Sequence, residues 1–285
     1  MIKVPGIVLC ASVVLLPALG TRVAQVFTGR SDLVRLSVSA LERGVPVVGL
    51  GASDFSVVDN GVTQEVVLFS GEDVPLFVVS VLDLSSSVAG DRLSSLKRAA
   101  DHLLDSLTPT DSSALVTFGH GLAGATGGVP ELRKKLFAAE SSGNTSLIDA
   151  LVSGLLLVSK TQGSRSLVLV FSDGMDTASF VSEKTALEVA GRTDATVYAV
   201  TLEKTRENRF LGQVTALTGG QHFVSSGHQD LRAVFARVLA DFRKQYLLGY
   251  VPRGPQTTGW HSVDVKTARK GVDLKFRPRY LRRDP

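Results

Sequence analysis

The chain has 285 residues, of which 44% are apolar and 20% are charged, so it has the composition of a globular protein with a real core. This length allows one large domain, or one medium domain with a smaller companion. The composition excludes a disordered chain, a collagen and a coiled coil. The single cysteine, Cys10, excludes a disulfide scaffold and a cysteine-based zinc site.

The formal net charge of +4 is unevenly distributed. Residues 243–285 contain 11 Lys and Arg against 3 Asp and Glu, whereas residues 21–242 contain 19 basic and 24 acidic residues. A basic tail can bind an anionic surface such as nucleic acid or phospholipid. Basic side chains also occupy the exposed faces of edge strands, where they limit aggregation. We favour the second interpretation and expect no nucleic-acid partner.

The amino terminus has the pattern of a secretory signal peptide. Lys3 precedes an apolar run over residues 7–19, which is shorter than the roughly 20 residues of a membrane-spanning helix. Small residues around Gly20 favour cleavage there, so residues 1–20 are predicted to be removed on export to the periplasm or the cell exterior. We expect no transmembrane segment in the mature chain. An uncleaved membrane anchor is the alternative.

Two regions that flank the centre of the chain, 28–73 and 244–285, carry strand patterns. These patterns cover residues 32–39, 54–58, 63–69, 246–250, 261–266 and 272–276. Asn60-Gly61 predicts a tight turn between the second and third of them, because both residues tolerate a positive φ. Each flank is too small to hold a good core alone. We therefore hypothesise that the flanks pair into one β module.

The central region, residues 74–243, alternates strand and helix patterns. Strands are predicted over residues 76–82, 113–118, 167–171, 195–202 and 221–225, and helices over 91–107, 147–158, 183–190 and 228–242. Residues 119–128 are predicted to be a glycine-rich loop. The pattern predicts an α/β fold, with a doubly wound, mostly parallel sheet, helices on both faces and a small flanking β module.

Side chains that carry oxygen follow two of the buried strands and precede one helix. Asp83, Ser85 and Ser87 follow the first strand, Asp173 follows the strand at 167–171, and Thr145 precedes the helix at 147–158. Ligands of doubly wound sheets gather at the carboxyl ends of the strands. Each motif alone also serves as a turn or a helix cap, so only their joint occurrence in this order favours a binding site.

Two carboxylates and three hydroxyls, without His or Cys, predict a site for a hard cation such as Mg²⁺. Hydroxyl ligands are neutral, so two carboxylates at most cancel the double charge of the ion. An open coordination position would then attract an acidic side chain from a partner. No general base stands beside these residues in the sequence, which favours adhesion over hydrolysis.

Other motifs point to no chemistry. The letters of Gly119-His-Gly121-Leu-Ala-Gly124 match a dinucleotide fingerprint, but no helix is predicted to open there, so we expect no nucleotide site. The five histidines lack the spacing of zinc ligands. Asp176 is predicted to be a helix cap or to support the site from outside, and not to be a ligand.

The three motifs, Asp83-Leu-Ser85-Ser-Ser87, Gly-Asn-Thr145 and Ser-Asp173-Gly, resemble the metal-ion-dependent adhesion site of von Willebrand factor type A domains. The phrases at 54–61 and 245–250 resemble the flanks of a secreted bacterial group of such proteins. The resemblance implies that the metal ligands are Asp83, Ser85, Ser87, Thr145 and Asp173. It further implies that the site binds Mg²⁺, with Mn²⁺ or Ca²⁺ as alternatives. The resemblance also implies an adhesive module that is not an enzyme, with a protein partner that presents an acidic residue.

Two alternatives stay open at this point. A metal-assisted hydrolase could use the same aspartates if a base such as His120 lay near the ion. A structural subunit of an envelope or secretion complex could use the ion only to brace its fold.

Overall fold

The computed structural model describes residues 33–71, 74–159, 165–202, 209–255 and 258–282. The predicted signal peptide, residues 1–20, lies outside the described residues. The five strands before the central region are β1 (Val34–Glu42), β2 (Val45–Pro46), β3 (Phe55–Asp59), β4 (Val62–Gln64) and β5 (Val66–Ser70). Among the helices in the described part of the chain, none has the length and apolar character needed to cross a membrane.

The central region contains a six-stranded sheet. Its strands are β6 (Leu76–Asp83), β7 (Ser112–Phe118), β8 (Leu122–Thr126), β9 (Arg165–Phe171), β10 (Thr196–Leu202) and β11 (His222–Ser225). Their order across the sheet is β11-β10-β9-β6-β7-β8, and every neighbouring pair is parallel except β7 and β8. All residues of β6, β9 and β10 are buried, because helices cover both faces of the sheet.

Six helices are described around this sheet. They are α1 (Asp91–Asp105), α2 (Val129–Ala138), α3 (Leu147–Val158), α4 (Glu183–Gly191), α5 (Arg209–Thr218) and α6 (Leu231–Arg243). Apolar side chains of α1, α2 and α6 share one core cluster with one face of the sheet, and those of α3, α4 and α5 share a second cluster with the other face. This arrangement confirms the predicted α/β class.

The prediction of a continuous loop over residues 119–128 was wrong. Residues 122–126 form β8, an antiparallel edge strand, and α2 begins at Val129. The sequence Leu-Ala-Gly-Ala-Thr contains little of the β-branched and aromatic character typical of strands, so the pattern missed it. Leu132 and Leu136, spaced by one helical turn and both buried, were an available signal for α2. Helix α5 was also missed.

The flanking strands build two small antiparallel sheets. The later strands are β12 (Tyr246–Tyr250), β13 (Gly259–Thr267), β14 (Asp273–Lys275) and β15 (Arg279–Arg282). One sheet has the order β14-β1-β12-β5, with β2 beside β1, and the other has the order β15-β13-β3-β4. Strands from the two flanks are therefore neighbours in both sheets, and one apolar cluster contains side chains from both.

The turn at Asn60-Gly61 joins β3 to β4 with φ values of 47° and 81°, as the sequence predicts. The second strand of the predicted hairpin is divided, however. Strand β4 pairs with β3, whereas β5 pairs with β12 of the other sheet. One predicted strand thus contributes to both sheets, which a local pattern cannot reveal.

A buried polar cluster joins the two sheets of the β module. Asp59 Oδ1 lies 2.7 Å from His261 Nδ1, and Asp59 Oδ2 accepts hydrogen bonds from Tyr280 (2.7 Å) and Tyr250 (3.0 Å). Burial raises the pKa of both tyrosine hydroxyls, so they remain protonated donors at neutral pH. Asp59 is therefore the shared acceptor of three side chains from β12, β13 and β15.

A second buried contact attaches the β module to the central sheet. Arg165, at the start of β9, donates to Gln245 O (2.5 Å) and to Arg243 O (3.1 Å). Gln245 Nε2 donates in turn to Ser39 Oγ of β1 (2.8 Å) and to Tyr198 OH of β10 (3.2 Å). Burial lowers the pKa of Arg165 to about 10, so its guanidinium still carries a charge at neutral pH.

We predict that Asp59→Ala destabilises the protein by about 3–5 kcal/mol, because it removes the acceptor of a buried ionisable cluster. Urea unfolding followed by circular dichroism measures this loss. Asp264→Ala on β13 is the matched control, since the Asp264 side chain is 55% exposed and its removal should cost no more than about 0.5 kcal/mol. Equal stability of the two variants would contradict the role given to Asp59.

Candidate metal centre

The first predicted ligand, Asp83, is the last residue of β6 and is fully buried. Its Oδ1 accepts a hydrogen bond from Ser85 N (2.9 Å), and its Oδ2 accepts one from Ser172 Oγ (2.7 Å). Burial raises the pKa of the Asp83 carboxyl, and the hydrogen bonds from Ser85 and Ser172 oppose that rise. The carboxylate is therefore oriented on both oxygens, and a nearby positive charge would stabilise its ionised form.

Ser85 and Ser87 connect Asp83 to the second predicted carboxylate. The two serine hydroxyl oxygens lie 2.9 Å apart, and Ser87 Oγ donates to Asp173 Oδ1 at 2.6 Å. Strands β6 and β9 are parallel neighbours in which Leu82 lies opposite Phe171, so the residues that follow each strand meet at one sheet edge. The Asp173 side chain is only 3% exposed.

Thr145 lies at the same edge, two residues before α3. It is 7% exposed. Its hydroxyl lies close to Gly174, the residue after Asp173, because a Cβ atom placed on Gly174 would be 3.6 Å from Thr145 Oγ1. Its backbone is fixed by Thr177, because Thr177 N donates to Thr145 O (2.8 Å) and Thr145 N donates to Thr177 Oγ1 (3.1 Å). The structure thus brings all five residues named from the sequence to one place.

Two glycines allow the loops of this edge to pack closely. A Cβ atom on Gly119 would lie 2.6 Å from Ser142 O and 2.7 Å from Leu84 O. Gly143 has a φ of 75°, and a Cβ atom there would lie 2.5 Å from His120 Cα. Ser86 N donates to Gly143 O (3.1 Å), so the serine loop after β6 rests directly on the loop that leads to Thr145.

The start of α3 is capped from the loop that follows Asp173. Asp176 Oδ1 accepts from Ile148 N (3.1 Å), and Ser179 Oγ accepts from Asp149 N (3.1 Å). Asp176 therefore caps this helix, whereas Ser146, at the N-cap position, makes no capping hydrogen bond with its side chain. The predicted interpretation of Asp176 agrees with this geometry.

Sequence reasoning missed two side chains that fix this edge. Ser172, the residue before Asp173, is fully buried and donates a hydrogen bond to Asp83. Arg92, the second residue of α1, donates through Nη1 to Asp173 Oδ2 (3.2 Å) and to Ser87 O (3.0 Å). The sequence offered one signal for Arg92, a basic residue in the first turn of a helix, where the helix dipole disfavours positive charge.

The donor set fits a hard divalent cation. Hydroxyl and carboxylate oxygens are the ligands that Mg²⁺ prefers, and two buried carboxylates supply the negative charge that such an ion balances. Within the described ranges, no group of three or more His, Cys, Asp or Glu side chains is placed to hold a metal. Any cation bound at this edge therefore depends on the hydroxyls as well as on Asp83 and Asp173.

Solved structures resemble this chain at low sequence identity. A von Willebrand factor type A protein from Catenulispora acidiphila matches with a TM-score of 0.56 and 12% identity, covering 81% of this chain and 74% of that one. Proximal thread matrix protein 1 from the mussel byssus matches with a TM-score of 0.53 and 15% identity, covering 62% and 48%. The chain thus spans about half the length of the mussel protein.

A structure of the same mussel protein with a zinc-occupied MIDAS motif (the metal-ion-dependent adhesion site) matches with a TM-score of 0.52 and 15% identity, covering 66% of this chain and 50% of that one. No curated protein sequence matches the chain. The sequence model of the von Willebrand factor type A domain matches residues 78–236, more than half of the chain. The fold and this match agree, and the chain belongs to the von Willebrand factor type A domain family.

Proposed function

We propose that this protein is a divalent-cation-dependent protein-binding module of the adhesion type. Its cation, Mg²⁺ with Mn²⁺ or Ca²⁺ as alternatives, is held by Asp83, Ser85, Ser87, Thr145 and Asp173. An acidic residue of a protein partner completes the coordination sphere. The observation that carries the proposal is the convergence of two carboxylates with buried side chains and three hydroxyls at one edge of the sheet.

The charges of these residues favour an anionic partner. A bound divalent cation supplies a positively charged coordination position at this edge. Asp83 and Asp173 contribute two negative charges, and the hydroxyls contribute none, so the protein does not over-neutralise the ion. Hydrogen bonds from Ser85 N and Ser172 hold the Asp83 carboxylate in place. A fixed carboxylate cannot swing across to fill the position that the partner takes.

The surface beside the carboxylates supports a protein partner. Met175 is 68% exposed and Phe180 is 99% exposed, and both lie on the loop that follows Asp173. Asp149 carboxylate oxygens accept from Phe180 N (3.0 Å) and Val181 N (2.9 Å), so this loop is held in place while its apolar side chains face solvent. Aromatic residues and Met are enriched in protein interfaces relative to the rest of the surface.

We further propose that the protein is exported, with residues 1–20 as its signal peptide and the periplasm or the cell exterior as its destination. The apolar run over residues 7–19 supports this. Proximal thread matrix protein 1, whose fold is similar, comes from the mussel byssus, and its MIDAS motif holds zinc in one structure. The domain boundaries at 28–73, 74–243 and 244–285 are part of the same proposal.

We predict that Mg²⁺ or Mn²⁺ raises the melting temperature of the protein and that a chelator reverses the rise. A cation at 100 times its dissociation constant adds about 2.7 kcal/mol, and each kcal/mol is worth about 2–4 °C in a domain of this size. Asp83→Asn, which keeps the shape of the side chain, should abolish most of the shift, whereas Asp264→Ala should retain it. No shift with Mg²⁺, Mn²⁺ or Ca²⁺ at millimolar concentration would contradict the proposal.

We predict that a phage-displayed library of random peptides yields clones that bind in Mg²⁺, elute with chelator and are enriched in Asp and Glu. Asp83→Asn and Thr145→Ala should lose these clones, because each variant removes a proposed ligand. Selection on Phe137→Ala, which removes an exposed apolar side chain of α2, is the control and should still yield them. Cation-dependent melting without any chelator-eluted clone would favour the bracing alternative.

A further inference from the structure

Arg92 places a positive charge directly beside the proposed cation ligands. Its Nη1 donates to Asp173 Oδ2 (3.2 Å) and to the carbonyl oxygen of Ser87 (3.0 Å). The Asp173 side chain is 3% exposed, whereas that of Arg92 is 43% exposed. The contact therefore pairs a buried carboxylate with a guanidinium that reaches it from the solvent side.

The position of Arg92 has no explanation in the stability of α1. Arg92 is the second residue of the helix, where unpaired backbone N–H groups and the helix dipole disfavour a cation. A basic residue there lowers the stability of the helix unless another interaction compensates. The compensating interaction is the ion pair with Asp173, so the residue serves the sheet edge and not the helix.

Arg92 changes the charge of the proposed site. Asp83 and Asp173 together carry two negative charges, which a divalent cation alone would balance to zero. With Arg92 included, the loaded site carries one net positive charge. Coulomb repulsion between the guanidinium and the cation weakens cation binding, and the remaining positive charge strengthens the attraction for an anionic ligand.

We propose that Arg92 is a specificity-determining residue that lowers the affinity of this site for the cation and raises its affinity for an anionic ligand. This inference rests on the proposed function, since it assigns a role toward the same cation. It adds that the partner carboxylate meets two positive groups, the cation and the guanidinium. The site therefore selects a carboxylate over a neutral oxygen ligand.

The test is a titration of the purified protein with Mn²⁺, in which free Mn²⁺ is measured by electron paramagnetic resonance. Arg92→Gln should bind Mn²⁺ about two- to fivefold more tightly than the wild type, in line with a partly exposed ion pair. Arg92→Lys should stay close to the wild type because it keeps the charge. Arg98→Gln is the matched control on the exposed face of α1 and should change the affinity less than twofold.

A second titration adds acetate to each Mn²⁺-loaded protein and follows the decrease in water proton relaxation as a carboxylate displaces bound water. Arg92→Gln should bind acetate more weakly than Arg98→Gln by a similar factor. Equal Mn²⁺ and acetate affinities in these two variants would overturn the role of Arg92. Weaker Mn²⁺ binding by Arg92→Gln would also overturn it. Absence of saturable Mn²⁺ binding in every variant would overturn the proposed function, and this inference with it.

Discussion

Two carboxylates buried at the end of adjacent parallel strands are the constraint on which this sheet edge depends. Removing a carboxylate from water costs several kcal/mol unless donors or cations compensate. Asp83 receives hydrogen bonds from Ser85 N and Ser172, and Asp173 receives them from Ser87 and Arg92. Burial raises the pKa of the Asp83 carboxyl, and the hydrogen bonds from Ser85 and Ser172 oppose this rise only in part. A cation among these oxygens would supply the missing charge.

The remainder of the fold keeps these loops in register. The close approach at Gly119 and Gly143 joins the loops after β6 and β7 to the segment before α3. Hydrogen bonds between Thr145 and Thr177 join that segment to the loop after β9. At the amino-terminal ends of the parallel strands, Arg165 and Gln245 attach the end of α6 to the β module. Both ends of the central sheet are therefore held by specific hydrogen bonds.

The sequence predicted the central fold well because its strongest signals are local. Buried strands such as β6 and β9 are continuous apolar runs, and α3 was predicted over the residues that form it. Strand β8 was missed because an exposed edge strand of small residues has no apolar period. Strand β4 pairs locally with β3, but β5 leaves the hairpin for β12, a partner about 180 residues away that no local window contains.

The candidate site could be assembled from the sequence because parallel strands place their following residues at one edge. Asp83, Thr145 and Asp173 were therefore expected together, and the structure places them so. The role of Ser172 depends on the register of β6 against β9. The role of Arg92 depends on where the first turn of α1 lies relative to Ser87 and Asp173. Both depend on tertiary structure, which a local sequence pattern does not contain. The roles of Tyr250 and His261 around Asp59 were hidden for the same reason.

The most direct test of the central claim is a crystal structure of the protein grown with Mn²⁺, with anomalous diffraction used to locate the ion. The account predicts one strong anomalous peak at coordination distance, about 2.0–2.3 Å, from the hydroxyl oxygens of Ser85 and Ser87, close to Thr145 and Asp173. An ordered structure without a peak at this edge, or with its strongest peak elsewhere, would contradict the account.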